Sequence, residues 1–158
     1  MDVSSFESPF QMMASYIKKM DVKNNLLSLD NENIQRSIIN LDYKIMETEE
    51  DEENHMGRLG LFVGVGAENK ETNAALSIFL DLQGAFCCPK NSLTKDEFIG
   101  MLEVNGTACL YSIARANITN ISSQCVLEGQ LRLPMLNVVA YVNARRQASL
   151  EEDTSTDE

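Results

Sequence analysis

The residues able to do chemistry in this sequence are few, and their spacing argues against a reaction centre. There is one histidine, His55, and there are four cysteines, Cys87, Cys88, Cys109 and Cys125. No two cysteines form a C-x-x-C pair, and zinc needs four N or S ligands within tetrahedral reach, so no metal or other cofactor is expected. The adjacent Cys87 and Cys88 read as buried thiols of a reducing compartment. His55 stands just past an acidic run, where it is expected to be solvated on a mobile loop rather than poised as a general base. No serine sits in a Gly-x-Ser-x-Gly elbow. Gly64-Val65-Gly66 has the composition of a phosphate loop, but no helix-forming βα unit follows, which argues against a dinucleotide site. The expectation is a protein that is not an enzyme.

Charge narrows the partners. The formal net charge is −11, and it is unevenly placed. Six acids fall in residues 47–53 and five in 151–158, with no base in either run. Setting these eleven aside leaves thirteen of the 24 acids against thirteen lysines and arginines. Nucleic acid and anionic membrane surfaces both call for a basic stripe, and neither is an expected partner. The terminal run reads as a solvated, disordered tail. The internal run reads equally as a self-repelling loop or as a docking patch for a basic partner, carried by Glu49, Glu50 and Asp51. No basic region followed by an apolar run opens the chain, so no signal peptide is expected. The longest apolar strand is too short to span a bilayer, and a cytoplasmic location is expected.

The elements that must position any site follow from periodicity. Met20, Val22 and Leu26 alternate with polar residues, as do Ile39, Leu41, Tyr43 and Ile45. Leu59, Leu61, Val63, Val65 and Ala67 share one strand face, with Gly60, Gly64 and Gly66 on the other. That glycine face asks for close approach by another backbone or a partner chain. Leu76, Ile78, Leu80 and Leu82 form the core face of a fourth strand. Met12 and Met13 fit a strand or a helical turn equally, and residues 1–8 read as a mobile arm. Thr94 and Glu97 form a capping box, with Leu93 and Phe98 as its hydrophobic staple, opening a short helix over about 95–104. A long helix follows over about 106–125, with Leu110, Ala114, Ile118, Ile121 and Cys125 on one face. Pro134 keeps the next stretch out of a helix, and a last helix runs over about 138–150. The fold class is α+β: a four-stranded antiparallel sheet, a short crossover helix, a long helix packed on the sheet and a short C-terminal helix. One domain spans 1–148, with an acidic tail over 149–158.

Four pieces of this chain, in order, resemble the SecB protein-export chaperones and their SecB-like relatives. They are Asn40-Leu41-Asp42; Gln83-Gly84 with Phe86; Ala114-Arg115 with Ile118; and Pro134 with Leu136 and Asn137. The likeness runs over about 16–141. It implies an ATP-independent holdase that binds unfolded or secretory polypeptides in an apolar groove. Phe98, Met101 and Leu102 on the short helix, with Leu131, Leu133, Met135, Leu136 and Tyr141 after the long helix, correspond to that groove. It also implies pairing of subunits edge to edge and then as a dimer of dimers, giving a homotetramer. In SecB an acidic patch docks the translocation ATPase SecA; Asp21 and Asp81 match acids of that patch, while Asn25 stands where a further acid belongs. The alternatives are a SecB-like chaperone for another client such as a toxin–antitoxin pair, an adaptor docking one partner through 47–53, and a hot-dog-type small-ligand enzyme.

Overall fold

The computed structural model of the chain describes residues 7–154. Four strands, β1 (Gln11–Asn24), β2 (Ile34–Glu50), β3 (Asn54–Asn69) and β4 (Ala75–Pro89), form one antiparallel sheet in the order β1-β4-β3-β2. Helices α1 (Lys95–Met101), α2 (Thr107–Cys125) and α3 (Val138–Thr154) follow. The β2–β3 and β3–β4 connections are tight, and Asx geometry makes them so. Asp51 Oδ1 accepts the Glu53 and Asn54 N–H at 2.8 and 2.6 Å, and Asn69 Oδ1 accepts those of Glu71 and Thr72. Asn73 completes the second turn at φ 56°.

The connection from β1 to β2 is of another kind, because those strands lie at opposite edges. Residues 25–33 cross beneath the sheet end, burying Leu26 and Leu29. They pair with the chain leaving α2: Leu29 N–H donates to Glu128 O at 2.8 Å and Leu127 N–H to Leu27 O at 2.9 Å. Gly129, at φ 85°, is required here, since a Cβ would stand 2.7 Å from Asp30 Oδ1.

Alternation built the core as expected. Leu59, Leu61, Val63, Val65 and Ala67 of β3 and Leu76, Ile78, Leu80 and Leu82 of β4 are all buried, and α2 lies over them. One difference concerns the helices. The short and long helices are not separate: a π-helical turn, Leu102–Gly106, joins α1 to α2 without a break. Phe98, Leu102, Gly106, Leu110, Ala114, Ile118 and Ser122 are buried at steps of four. In a straight helix of 3.6 residues per turn, steps of four drift round the axis by roughly 40° each. The wider π turn takes back part of that drift and keeps the row facing the sheet. Gly106 lets it close down, since a Cβ there would lie 3.0 Å from Leu59.

The capping box forms: Thr94 N–H donates to Glu97 Oε2 at 2.8 Å and Glu97 N–H to Thr94 Oγ1 at 3.3 Å. Thr94→Ala is expected to destabilise the fold by about 1 kcal/mol, read as a lowered urea midpoint at unchanged slope. At the other end α3 continues through Thr154, past the expected stop near 150 and into the stretch read as a disordered tail. The last four tail residues and the first six of the expected arm lie outside the described residues.

Candidate functional site

The residues expected to line a groove divide into two sets. Phe98, Leu102, Leu131 and Leu133 are core. Their burial has a physical cause: polar groups of α2 satisfy the backbone of the segment after it, so that segment lies flat. Tyr111 OH donates to Pro134 O at 2.9 Å, and Arg115 Nε to Leu133 O at 3.1 Å. Leu131 N–H donates to the buried Ser122 Oγ at 2.8 Å. Asn137 Oδ1 accepts Ala140 N–H at 3.1 Å and starts α3. Phe98 and Leu102 therefore do not line an open channel, which corrects that part of the expectation, whereas Leu131 and Leu133, though buried, border a hollow beside β2. Met101, Leu136 and Tyr141 are half-buried, and Met135 is 81% exposed.

An open groove does exist, one step away, between α3 and the free edge of β2. A hollow of about 590 Å³ is lined by Tyr43, Lys44 and Ile45 of β2, Glu103 of the π turn, and Arg145, Arg146 and Ser149 of α3. A second, of about 210 Å³, is lined by Arg36, Ser37 and Ile38 of β2 with Leu131, Leu133 and Pro134 of the segment after α2. Between them α3 touches the strand. Tyr141 OH donates to Leu41 O at 2.8 Å, Arg145 pairs with Asp42 at 2.6 Å, and the Tyr43 and Tyr141 rings meet edge-on at 6.0 Å. Glu103 accepts from Tyr43 OH at 3.1 Å and from Arg146 Nε at 3.0 Å. Val142 is the one residue of α3 fully buried among those whose side chains are described. The helix is thus held mainly by polar contacts at partly exposed positions. Tyr43, Ile45, Glu103, Arg145 and Arg146 were not singled out from sequence. Tyr43 and Ile45 carried the right apolar signal, but nothing local showed that their strand is an edge.

Burial, with the Glu103 carboxylate beside it, pushes the Tyr43 phenol up to about 12 from an ordinary 10.0. Burial also raises Tyr111 and Tyr141. Each is held neutral by the fold, so its contribution is complete below the unfolded-chain value and is lost as pH rises through the folded one. Tyrosinate absorbance should therefore rise late for Tyr43. Between pH 10 and about 12 the α3 attachment should weaken, visible as loss of helical circular dichroism.

His55 and the acidic run are placed differently from expectation. His55 is 6% exposed, not on a mobile loop: it sits on the helix side of β3, its ring stacked 5.7 Å from Phe98 and Nε2 3.1 Å from Leu93 O. Residues 47–50 continue β2 rather than forming a loop, because neighbours supply the missing cations. Arg58 lies opposite Glu47 and pairs with it. Glu50 pairs with Lys90 at 3.2 Å and Lys95 at 3.0 Å, and those hydrogen bonds hold its carboxyl below the usual range. Asp51 is likewise lowered by the backbone N–H groups of Asn54 and Glu53. Of Glu49, Glu50 and Asp51, Glu50 alone makes salt bridges among the described residues.

Asp21 and Asp81 lie on the opposite, uncovered sheet face around a hollow of about 380 Å³ shared with Lys19, Phe62 and Phe79. Lys19 stands opposite Asp81 in the β1–β4 register. The glycine face is roofed by this chain's own side chains. A Cβ at Gly64 would meet Phe79 at 2.6 Å, at Gly60 the Met46 tip at 3.0 Å, and at Gly66 the Ile39 tip at 3.0 Å. No group of three His, Cys, Asp or Glu among the described residues is placed to hold a metal ion. No described helix is long and apolar enough to cross a membrane.

A β1-β4-β3-β2 antiparallel sheet covered on one face by a bent helix, a flat crossover and a final helix is the SecB-like fold. One solved protein of that fold is the Rv1957 SecB-like chaperone of Mycobacterium tuberculosis, in complex with a ChAD peptide from the Rv1956 HigA1 antitoxin. The two match at TM-score 0.56 and 12% identity, over 81% of this chain and 91% of that one. No protein-family model matches the sequence, and no curated protein matches it.

Proposed function

We propose that this chain is an ATP-independent chaperone that holds extended polypeptide in the groove between β2 and α3. The observation that carries the reading is the groove itself. Its two hollows lie along β2 on either side of the Tyr141–Leu41 contact, within the stretch from Arg36 to Ile45, which at about 3.3 Å per residue measures roughly 30 Å. Tyr43, Ile45 and Ile38 offer apolar contact, and the strand edge on either side of Leu41, whose carbonyl Tyr141 occupies, offers backbone groups, the two elements by which an extended chain is recognised. Met101, Leu136, Tyr141 and the exposed Met135 border the track, and methionine adapts to varied side chains. The peptide bound by the fold's mycobacterial example favours a dedicated client of the antitoxin type over secretory chains in general. Delivery to SecA is the second reading, favoured only by Asp21 and Asp81 on the outer face.

The open edge of β1 supports self-association. Met12, Tyr16, Ile17 and Met20 are all exposed along it, and an apolar edge strand left bare promotes aggregation unless paired. We place the subunit contact there, with a dimer of dimers as the assembled form and the cytoplasm as its setting. The deciding experiment is light scattering of a chemically denatured client diluted into buffer. Suppression at molar excess of this protein is the expected result, and unchanged scattering would overturn the proposal. Native mass measurement, with and without client, reads the assembly.

A further inference from the structure

The helices leave the outer face of the sheet bare, and one end of that face carries a pocket with no part in the groove. It measures about 420 Å³ and is lined by Met13, Met56, Gly57, Ala85, Phe86 and Cys87, with Glu47, Glu49 and Arg58 among its remaining walls. That volume lies within the range of about 300–1,000 Å³ typical of ligand sites. The sequence makes the hollow in two ways. A register shift between Met12 and Ala14 displaces Met13 from the regular pleat and leaves it 67% exposed. The residue of β4 that faces it, Ala85, is too small to fill the space below, while the side-chain direction of Gly57 points to Phe98 and Leu102 on the other face and gives the pocket backbone only.

We propose that this pocket docks a second protein through a segment bearing a large aliphatic side chain next to lysine or arginine. The apolar floor selects the aliphatic group. The rim selects the cation. Glu47 and Glu49 stand within hydrogen-bonding reach of each other. That proximity lowers Glu47, with Arg58 helping, and raises Glu49. Arg58 is the one base in the lining, and it is engaged by Glu47, so Glu49 is left facing a like charge. Glu50, Asp51, Glu52 and Glu53 follow in the chain with no base among them. Lys90 and Lys95 are held by Glu50 instead. A cation arriving beside Glu49 relieves the repulsion, while an acidic segment adds to it. The site lies on the sheet face opposite the β2–α3 groove, so the chain can hold a client and a basic partner together.

The test uses the full chain and a short fluorescent peptide of alternating leucine and lysine, read by anisotropy. The expected result is saturable binding that weakens with added salt. It should fall roughly tenfold or more in Glu49→Lys and in Met56→Asp, and vanish for a matched leucine–glutamate peptide. Ile45→Asp, in the other groove, should leave it unchanged. Glu49 is exposed, so its variant keeps the fold even if Met56→Asp does not. Equal binding by wild type and Glu49→Lys would overturn the proposal. So would loss of binding in Ile45→Asp alone, which would put the peptide in the client groove. A Glu49→Lys effect on native mass without any on peptide binding would also overturn it, assigning the pocket to a second copy of the chain. Client holding is read separately by light scattering, so either conclusion can fail without the other.

Discussion

Phe98→Ala is expected to lower the unfolding free energy by about 3–5 kcal/mol, the range for truncating a buried phenylalanine. Phe98 is 1% exposed and makes three connections at once. Its ring lies 5.9 Å from Phe10 before β1 and 5.7 Å from His55 on β3. It also stands 3.2 Å from where a Cβ of Gly57 would be, so no side chain there can move in to fill a cavity. Natural domains are stable by about 5–15 kcal/mol, so the variant would lose a large share of its margin. Urea unfolding followed by circular dichroism should show a lower midpoint at unchanged slope. A client-contact role would predict the reverse, near-normal stability with weakened polypeptide binding, and that result would return Phe98 to the groove. Met101→Ala, half-buried one turn on, is the matched control.

Ile45→Asp is expected to weaken client binding by roughly tenfold to a hundredfold, the loss of about 1–3 kcal/mol typical of a contact that matters. Ile45 lines the larger hollow and is half-buried, so a carboxylate there meets the client in place of an aliphatic group without opening the core. Leu133→Asp makes the contrast. Leu133 is 2% exposed, and a charge there should unfold the chain rather than impair binding. Measuring scattering suppression and urea midpoint for both variants separates groove from core. If Ile45→Asp holds client as well as the native chain, the β2–α3 groove is not where client binds.

What the sequence makes legible here is whatever repeats. The inward faces of β3 and β4 alternate for five and four residues, and the contact row of α2 recurs at helical steps, so all three were readable. The resemblance carried by Ala114-Arg115 and Pro134 to Asn137 now has a mechanism. Arg115 fastens the crossover through Leu133 O, and Asn137 caps α3. What escaped was whatever depends on a distant neighbour. The 47–50 carboxylates looked too repulsive for a strand because Arg58, Lys90 and Lys95 are invisible to a local window. Leu131 and Leu133 looked more open than they are, because an aperiodic apolar loop gives no sign of being pinned by Tyr111, Arg115 and Ser122. The glycines of β3 asked for a partner, and the answer was Phe79, Met46 and Ile39 of the same sheet.

The placement of β1 beside β4 carries a consequence for how the chain is born. From Gln11 opposite Cys87 to Asn24 opposite Leu76, every β1 residue but Met13 and Lys18, at the register shifts, pairs with one made dozens of positions later. On a ribosome the first strand must wait, oily and idle, until the fourth has emerged, while β2, β3 and β4 zip together in succession. Such long-range closure is slow, and a nascent strand left waiting is exposed to aggregation. The maker of this chain thus faces, during each round of synthesis, the same unfolded-strand hazard that a holdase exists to contain.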